Sequence, residues 1–485
     1  MSQNTRNIIG KLWSLCDVLR DDGITYHQYV TELSYLLFLK LAKETGTEGL
    51  IRKGSRWDAI VGEPAPDRLA AYRRALEQLS SSSSKLVRAI FANATTSIRK
   101  PGALDIIVDE INNLDWYSEA RLGDIYEGLL AKNAEEKKSG AGQYFTPRPL
   151  IDSMVALMKP SLDDIIQDPA AGTGGFLVAA NRYIREHSDP GAWTEAMQRK
   201  YRRGTFYGME HVQDTHRLAL MNLLLHGIDA EPNGAGIRCG DTLSEEGAAL
   251  PKATLILTNP PFGTKNGGGR PSRTDLDFST SNKQFCFLQH VYLGLKPRGR
   301  AAVVVPDNVL FEGGVGKQIR TALMAKCNLH TILRLPTGIF YAQGVKTNVL
   351  FFTRGESDED NTRSVWVYDL RSNVPTFGKR STLTRAHFKD FERSFGSDPL
   401  GSPKSLSRRK DTGEAGRFRQ FTREWIAQRD ESLDIAWLPS EDVADRGREL
   451  APGELVAEIE AELLAALEEI RSLQAELPGA GEDRP

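Results

Sequence analysis

The chain has 485 residues, a length that predicts two or three domains and a large hydrophobic core. Charged residues make up 26% of the chain and the formal net charge is -2, which excludes a protein that binds nucleic acid through a global positive field. No apolar stretch approaches the roughly 20 residues that cross a bilayer, no signal peptide is recognisable, and the 4 cysteines lack metal or disulfide spacing. We therefore expect a cytoplasmic protein with free thiols, no membrane contact and no structural or catalytic metal.

The N-terminal part carries the pattern of a helical domain. Apolar residues recur at helical spacing over 8–19 and 29–41, and further helices are predicted at 67–79, 85–97 and 118–132. Few strand signals occur before residue 140. A charged stretch that ends in glycine, residues 132–142, predicts a linker after this domain.

After the linker the pattern changes to strands that alternate with helices. The predicted strands are residues 165–166, 206–209, 236–239, 255–258, 301–305, 331–335 and 349–353. Such alternation predicts the α/β class, with a doubly wound, mostly parallel seven-stranded sheet covered by helices.

The ends of the first three strands carry residues suited to a ligand. Thr173, Gly174 and Gly175 follow Asp168 in a turn where the backbone can approach a ligand closely. Glu210 ends the second strand, where a carboxylate can accept hydrogen bonds from ribose hydroxyls. Asp241 follows the third strand and could accept from an adenine amino group. Together these ends predict a site for an adenosyl-containing cofactor. The alternatives are a tight turn, a helix-start carboxylate and an Asx turn.

The fourth strand ends in the motif Asn259-Pro260-Pro261-Phe262. The prolines fix the backbone and remove two donors, so the free groups are the Asn259 amide and the Pro260 carbonyl, which can both accept hydrogen bonds from one amino group. Phe262 can offer its ring face to a flat partner. A plain strand-ending turn is the alternative for this motif. Residues 263–283, rich in Gly, Ser and Thr, are expected to be a mobile connection or a DNA-responsive lid that carries Lys265, Arg270 and Arg273.

Residues 356–450 are charged and irregular, with one strand-like piece at 365–370. The last segment, 451–485, contains apolar residues every three or four positions between 456 and 477, which predicts a coiled-coil-like helix that docks on a partner.

These motifs in this order resemble those of the modification subunit of type I restriction-modification systems, an N6-adenine DNA methyltransferase. The resemblance rests on Gln143-Tyr144-Phe145-Thr146-Pro147-Arg148, on the loop from Asp168 to Phe176 and on the motif Asn259 to Phe262. It implies an N-terminal helical domain at 1–135, a Rossmann-like methyltransferase domain at 136–355, an α+β extension at 356–450 and a C-terminal helical tail at 451–485.

The resemblance also implies a role for each matched residue. The segment that closes over S-adenosylmethionine comprises Gln143, Tyr144, Phe145, Thr146, Pro147 and Arg148. The loop beneath the methionine part of the cofactor contains Asp168, Thr173, Gly174 and Gly175. Glu210 matches the ribose ligand and Asp241 the adenine contact, whereas Asn259, Pro260, Pro261 and Phe262 match the catalytic motif. The implied reaction moves the methyl group of S-adenosylmethionine to N6 of an adenine flipped out of duplex DNA.

The implied partners are duplex DNA, a specificity subunit flanked by two modification subunits, and a restriction nuclease subunit. Methylation of a protein glutamine or an RNA base is the nearest enzymatic alternative, because an amide or amino nitrogen suits the same motif. A non-catalytic scaffold that binds the cofactor within a defence complex is an alternative from another class.

Overall fold

The computed structural model describes residues 3–20, 24, 26–114, 122–136, 146–228, 236–263, 271–340, 345–374, 376–377 and 381–438. Among these residues, no helix combines the length and the apolar character that a membrane crossing requires. The predicted C-terminal helix between 456 and 477 lies outside the described residues. Its docking role therefore stays a prediction.

Helices α1 to α18 cover, in chain order, Gln3–Arg20, Tyr26–Glu44, Trp57–Val61, Ala65–Ser80, Lys85–Ile90, Pro101–Asn113, Leu122–Glu136, Arg148–Met158, Gly175–Glu186, Glu195–Gly204, Gln213–Leu225, Glu245–Ala248, Lys283–Gly294, Asn308–Phe311, Val315–Lys326, Lys389–Phe395, Pro403–Leu406 and Arg423–Gln428. Strands β1 to β9 cover Ile166–Asp168, Phe206–Glu210, Gly236–Cys239, Ala253–Thr258, Leu295–Pro306, Cys327–Arg334, Thr347–Arg354, Ser364–Asp369 and Phe418–Thr422. Strands and helices alternate from β1 to β6, which confirms the predicted α/β class.

The first of two compact units contains Met1–Ser139, Ala171–Asn181 and Pro190–Cys239. Helices α1 to α7 form its N-terminal part, which is helical as predicted, although the short helix α3 was not predicted. The predicted helix at 85–97 is too long, since α5 ends at Ile90, and α6 was not predicted. Asn93 adopts a left-handed conformation, with φ of 55°, which interrupts the helix, and Pro101 then starts a new one.

The second unit contains Gly140–Ala170, Arg182–Asp189 and Gly240–Pro485. Its strands follow the order β1-β4-β5-β7-β6-β8-β9. β1, β4 and β5 are parallel neighbours, whereas β7 is antiparallel to both β5 and β6. In the first unit, β2 and β3 are also parallel to each other.

The seven predicted strands are all present, and the charged segment beyond residue 355 adds two more. β8 coincides with the strand-like piece predicted there, whereas β9 was not predicted. β9 pairs with β8 as an antiparallel strand, and its sequence, Phe-Arg-Gln-Phe-Thr, does not alternate because its two phenylalanines are three positions apart. A polar strand of this kind gives little hydrophobic signal.

β4 is buried because helices and neighbouring strands cover it. Leu255, Ile256 and Leu257 have no exposed surface. Ile256 belongs to a core cluster with Leu288 of α13 and Val303 of β5. Full burial of such side chains stabilises the fold by about 1.5–3 kcal/mol each. The strand that carries the Asn259 motif is therefore firmly held.

Candidate active site

The Asn259 motif lies at the carboxyl edge of the second unit's sheet. β4 ends at Thr258, whose partner on the parallel strand β5 is Val303, and Ile256 is paired with Gln167 of β1. Carboxyl ends of parallel strands share one edge of a sheet, and ligands bind there in open α/β folds. Asn259 and Asp168, which ends β1, therefore belong to the same functional edge.

The Asn259 side chain is oriented by a residue from the segment before the first strand. Its amide nitrogen Nδ2 donates a hydrogen bond to Oγ1 of Thr146 at 3.0 Å. Its oxygen Oδ1 is buried and has no hydrogen-bond partner among the described residues. A buried acceptor without a donor costs about 1–3 kcal/mol. The side chain thus presents an acceptor to any amino group that enters this edge.

Thr146 is therefore placed beside the motif, and it is followed by Pro147 and Arg148, where α8 begins. The other members of this predicted segment, Gln143, Tyr144 and Phe145, lie outside the described residues.

The rest of the motif is partly covered. Pro260 is buried, whereas Pro261 and Phe262 are half-buried. The ring of Phe262 meets the buried ring of Phe340 in an edge-to-face contact, with centroids 6.3 Å apart and planes at 74°. Edge-to-face packing is a favourable aromatic geometry. It fixes the plane of the Phe262 ring, and sequence reasoning missed Phe340 because the two residues are far apart along the chain.

The first unit carries the glycine turn and Glu210. Gly172 and Gly174 have φ of +54° and +79°, which only glycine adopts readily. A Cβ on Gly174 would also lie 3.2 Å from the Ile237 side chain. The Thr173 carbonyl accepts from Asn222 Nδ2 at 2.9 Å, and Gly175 starts α9. The turn is thus rigid, with its backbone positioned for close approach by a ligand.

Glu210 and the glycine turn are brought together directly. Oε2 of Glu210 accepts the N–H of Gly172 at 2.9 Å, and Oε1 accepts the N–H of Val212 at 2.8 Å. Burial raises the pKa of this carboxyl group, while the backbone hydrogen bonds oppose that shift. Each carboxylate oxygen has two lone pairs, so Glu210 can hold the turn and still accept from ribose hydroxyls.

Asp168 and Asp241 both stabilise local turns. Asp168 is buried and its Oδ1 accepts the N–H of Ala170 at 3.2 Å. Asp241 Oδ1 accepts the N–H of Leu243 at 2.9 Å, which is the Asx turn considered for this position. The two loops are joined, since Thr242 Oγ1 donates to the Pro169 carbonyl at 2.5 Å.

The segment after the motif is not a wholly exposed loop. Residues 264–270, which include Lys265 and Arg270, lie outside the described residues. Arg273, expected to be a cation of a mobile lid, is instead only 8% exposed. That expectation was wrong because the Thr242 carbonyl and Nδ1 of His290, both buried, accept hydrogen bonds from its guanidinium and hold it inside the fold.

The chain is similar to known proteins over most of its length. The family model for N-6 DNA Methylase matches residues 118–441. The chain is 48% identical to the type I restriction enzyme StySJI methylase subunit of Salmonella typhimurium, over 99% of this chain and 97% of that protein. It is 47% identical to the EcoKI methylase subunit of Escherichia coli, over the same shares of the two chains, 99% and 97%.

Solved structures are also similar over nearly the whole chain. The crystal structure of the EcoKI M protein aligns with a TM-score of 0.58 at 44% identity, and covers 98% of this chain and 97% of its own. A structure described as the basis of complex assembly and conformational transition of the type I R-M system aligns with a TM-score of 0.73 at 26% identity, and covers 99% and 100%.

Proposed function

The chain belongs to the N-6 DNA methylase family and to the methylase subunits of type I restriction enzymes, and from this premise we propose that it moves the methyl group of S-adenosylmethionine to N6 of an adenine in duplex DNA. The observation that carries this proposal is the Asn259 amide, whose buried Oδ1 has no donor among the described residues. An exocyclic amino group is a donor that fits it.

The Asn259 motif activates the amino group by position and hydrogen bonding. The lone pair of an exocyclic adenine amine is delocalised into the ring, so the amine is a weak nucleophile. Asn259 Oδ1 and the Pro260 carbonyl accept hydrogen bonds from the two N–H groups of the amine. These hydrogen bonds favour a tetrahedral nitrogen whose lone pair is directed at the methyl group. Stabilisation of this kind is electrostatic and positional, and no covalent enzyme intermediate is needed.

Phe262 holds the flipped base. Extrusion of a base from the duplex costs a few kcal/mol, and stacking on an aromatic ring returns about 1–3 kcal/mol. Phe340 fixes the plane of the Phe262 ring, so less of that stacking energy is lost in ordering the side chain.

The residues proposed to bind the cofactor fit an adenosyl group. S-adenosylmethionine, when bound, supplies an electrophilic methyl group on sulfur. The glycine turn 172–175 allows close backbone approach, and a Cβ on Gly172 would meet nothing within 4 Å, so the space beside it is open. Glu210 accepts from the ribose hydroxyls, while Asp168, Asp241 and residues 143–148 remain proposed further contacts.

The proposed partners are duplex DNA, a specificity subunit that reads the sequence, and a restriction nuclease subunit, with two chains of this protein flanking one specificity subunit. The proposed location is the cytoplasm. The domain boundaries at 135, 355 and 450 likewise stay predictions.

The test is transfer of labelled methyl from S-adenosylmethionine to unmodified host DNA, with and without the co-expressed specificity partner. We expect label in N6-methyladenine only with the partner present. Asn259→Ala should lose about 100- to 1000-fold in turnover, the loss typical of removing a group that stabilises a transition state. Asn328, whose Nδ2 donates to the Gly401 carbonyl at 3.0 Å near the amino end of β6, provides the matched control, and Asn328→Ala should leave turnover within about twofold.

Label in protein or RNA but not in DNA would overturn the proposed substrate. Unchanged cellular protection against restriction in Asn259→Ala would indicate the scaffold role instead.

A further inference from the structure

Arg273 is buried and lies at the centre of a hydrogen-bond network with Thr242, Asp275 and His290. Its Nε donates to Asp275 Oδ1 at 2.8 Å and its NH2 group donates to Asp275 Oδ2 at 2.6 Å, so the two side chains form a two-point ion pair. Its NH1 group donates to the Thr242 carbonyl at 3.2 Å and to Nδ1 of His290. Four N–H groups of the guanidinium therefore have partners.

The contact with Arg273 determines the protonation of His290. A guanidinium can only donate, so Nδ1 of His290 must accept and the ring proton must lie on Nε2. Nε2 then donates to Gln167 Oε1 at 2.9 Å, and Gln167 Nε2 donates to the Pro251 carbonyl at 2.9 Å. Burial, followed by the charge of Arg273, lowers the pKa of His290 to about 3, which keeps the ring neutral. The network is thus a directed chain of donors and acceptors from Arg273 through His290 and Gln167 to the Pro251 carbonyl.

The network reaches the loops of both carboxylates proposed to face the cofactor in this unit. Gln167 immediately precedes Asp168 at the end of β1, and Pro169 immediately follows it. Thr242 follows Asp241, and its Oγ1 donates to the Pro169 carbonyl. Arg273 thereby holds the residue after Asp241 directly, and holds both neighbours of Asp168 through Thr242 and His290.

We propose that Arg273 is a positioning residue that fixes the loops of Asp168 and Asp241 for S-adenosylmethionine, and that it links them to the chain segment after the catalytic motif. This inference rests on the proposed function. It gives the described residues 271–283 a defined role, because Arg273, eleven positions after Phe262, anchors them to the loops of Asp168 and Asp241.

The arrangement requires arginine. A lysine ammonium is a point charge with three donors and no planar fork, so it cannot make the two-point contact with Asp275 while it also donates to Thr242 and His290. Both Arg273→Lys and Arg273→Gln should therefore loosen the two loops.

The experiment measures S-adenosylmethionine binding by calorimetry, and kcat and KM for cofactor and DNA, with the full chain in complex with the specificity subunit. For Arg273→Gln we expect the Kd and KM for S-adenosylmethionine to rise at least tenfold, with kcat at saturating cofactor within about threefold of wild type and the KM for DNA unchanged. Faster amide hydrogen exchange at 241–243, measured without cofactor, should accompany this loss.

Arg300→Gln is the matched control, because Arg300 is also 8% exposed and bound to a carboxylate. It donates to the Asp164 carboxylate at 3.0 Å and to the Met158 and Lys159 carbonyls, all of which precede β1. It should lower Tm at least as much as Arg273→Gln while the Kd for S-adenosylmethionine changes less than twofold. Equal cofactor affinity in wild type and Arg273→Gln would overturn the inference, as would equal loss in both variants.

Thr242→Val tests the same link without removal of a buried charge. It deletes only the hydroxyl that donates to Pro169 and should raise the Kd for S-adenosylmethionine about three- to fivefold, with a smaller fall in Tm than Arg273→Gln causes. An unchanged Kd would contradict the proposed path. Calorimetry needs no methyl transfer, so wild-type protein that binds cofactor but methylates no DNA would count against the proposed function alone.

Discussion

Thr146 offers a direct test of how the Asn259 amide is oriented. Its hydroxyl accepts from Asn259 Nδ2 at 3.0 Å, and this contact keeps Oδ1 on the side that faces the incoming amino group. Thr146→Val keeps the shape but removes the acceptor, so the amide can rotate and present a donor to the substrate amine. A net hydrogen bond between neutral groups is worth about 0.5–1.5 kcal/mol, which corresponds to roughly a 2- to 13-fold loss in the methyl-transfer rate.

The assay is single-turnover methyl transfer at saturating cofactor and DNA, so that changes in affinity do not enter the rate. Thr146→Ser, which retains the hydroxyl, should stay within about twofold of wild type. In the double variant with Asn259→Ala the loss from Thr146→Val should vanish, because the two residues act through one amide. Full additivity of the two losses, or an unchanged rate in Thr146→Val, would refute this account of orientation.

Three further predictions follow from the described contacts and the sequence. Phe262→Ala should lower kcat/KM for DNA by about 5- to 150-fold while Phe262→Trp retains activity, since stacking is worth about 1–3 kcal/mol; equal activity of the Ala variant would exclude stacking. Burial lowers the pKa of His290 and His330 to about 3, below the 6.5 of the free side chain. Between pH 3 and pH 6.5 the unfolded chain therefore binds more protons than the folded chain, so stability falls as pH falls below 6.5. At pH 5 each histidine should cost about 2 kcal/mol, and denaturant unfolding of His330→Gln should show a correspondingly smaller fall between pH 7.5 and pH 5. Deletion of the residues after Pro452 should weaken assembly with the specificity subunit and leave cofactor binding intact, as measured by co-purification and calorimetry; loss of both would indicate a folding role.

The strands and the turns at their ends could be predicted because their signals are local. β4 is a continuous apolar run ended by Asn259 and two prolines, and the glycines at 172 and 174 lie with positive φ in the turn predicted there. Glu210 ends β2 as predicted, and its contact with Gly172 explains why a carboxylate at this point serves the turn as well as a ligand.

Pairings between distant residues could not be predicted in this way. Thr146 and Asn259 are 113 positions apart, and only the fold brings the hydroxyl to the amide. Arg273 lies in a stretch rich in Gly and Ser, whose composition predicts an exposed loop, yet its partners at 242 and 290 lie on separate elements. A buried arginine is identified by the acceptors around it, which local composition does not report.

Arg273 and Asn259 of the second unit differ in how many of their polar groups have hydrogen-bond partners. The difference matches the role proposed for each residue. Around Arg273, four of the five guanidinium N–H groups and the Nε2–H group of His290 have acceptors, which keeps the network rigid. At Asn259 the opposite holds, because Nδ2 is paired and Oδ1 is not paired with any described residue. Thr146 holds the amide of Asn259, so the energy of the missing hydrogen bond at Oδ1 is recovered only when an amino group arrives in the correct geometry, whereas the Arg273 network holds the loops of Asp168 and Asp241. Loss of the Asn259 acceptor should therefore lower kcat, whereas loss of the Arg273 network should weaken cofactor binding.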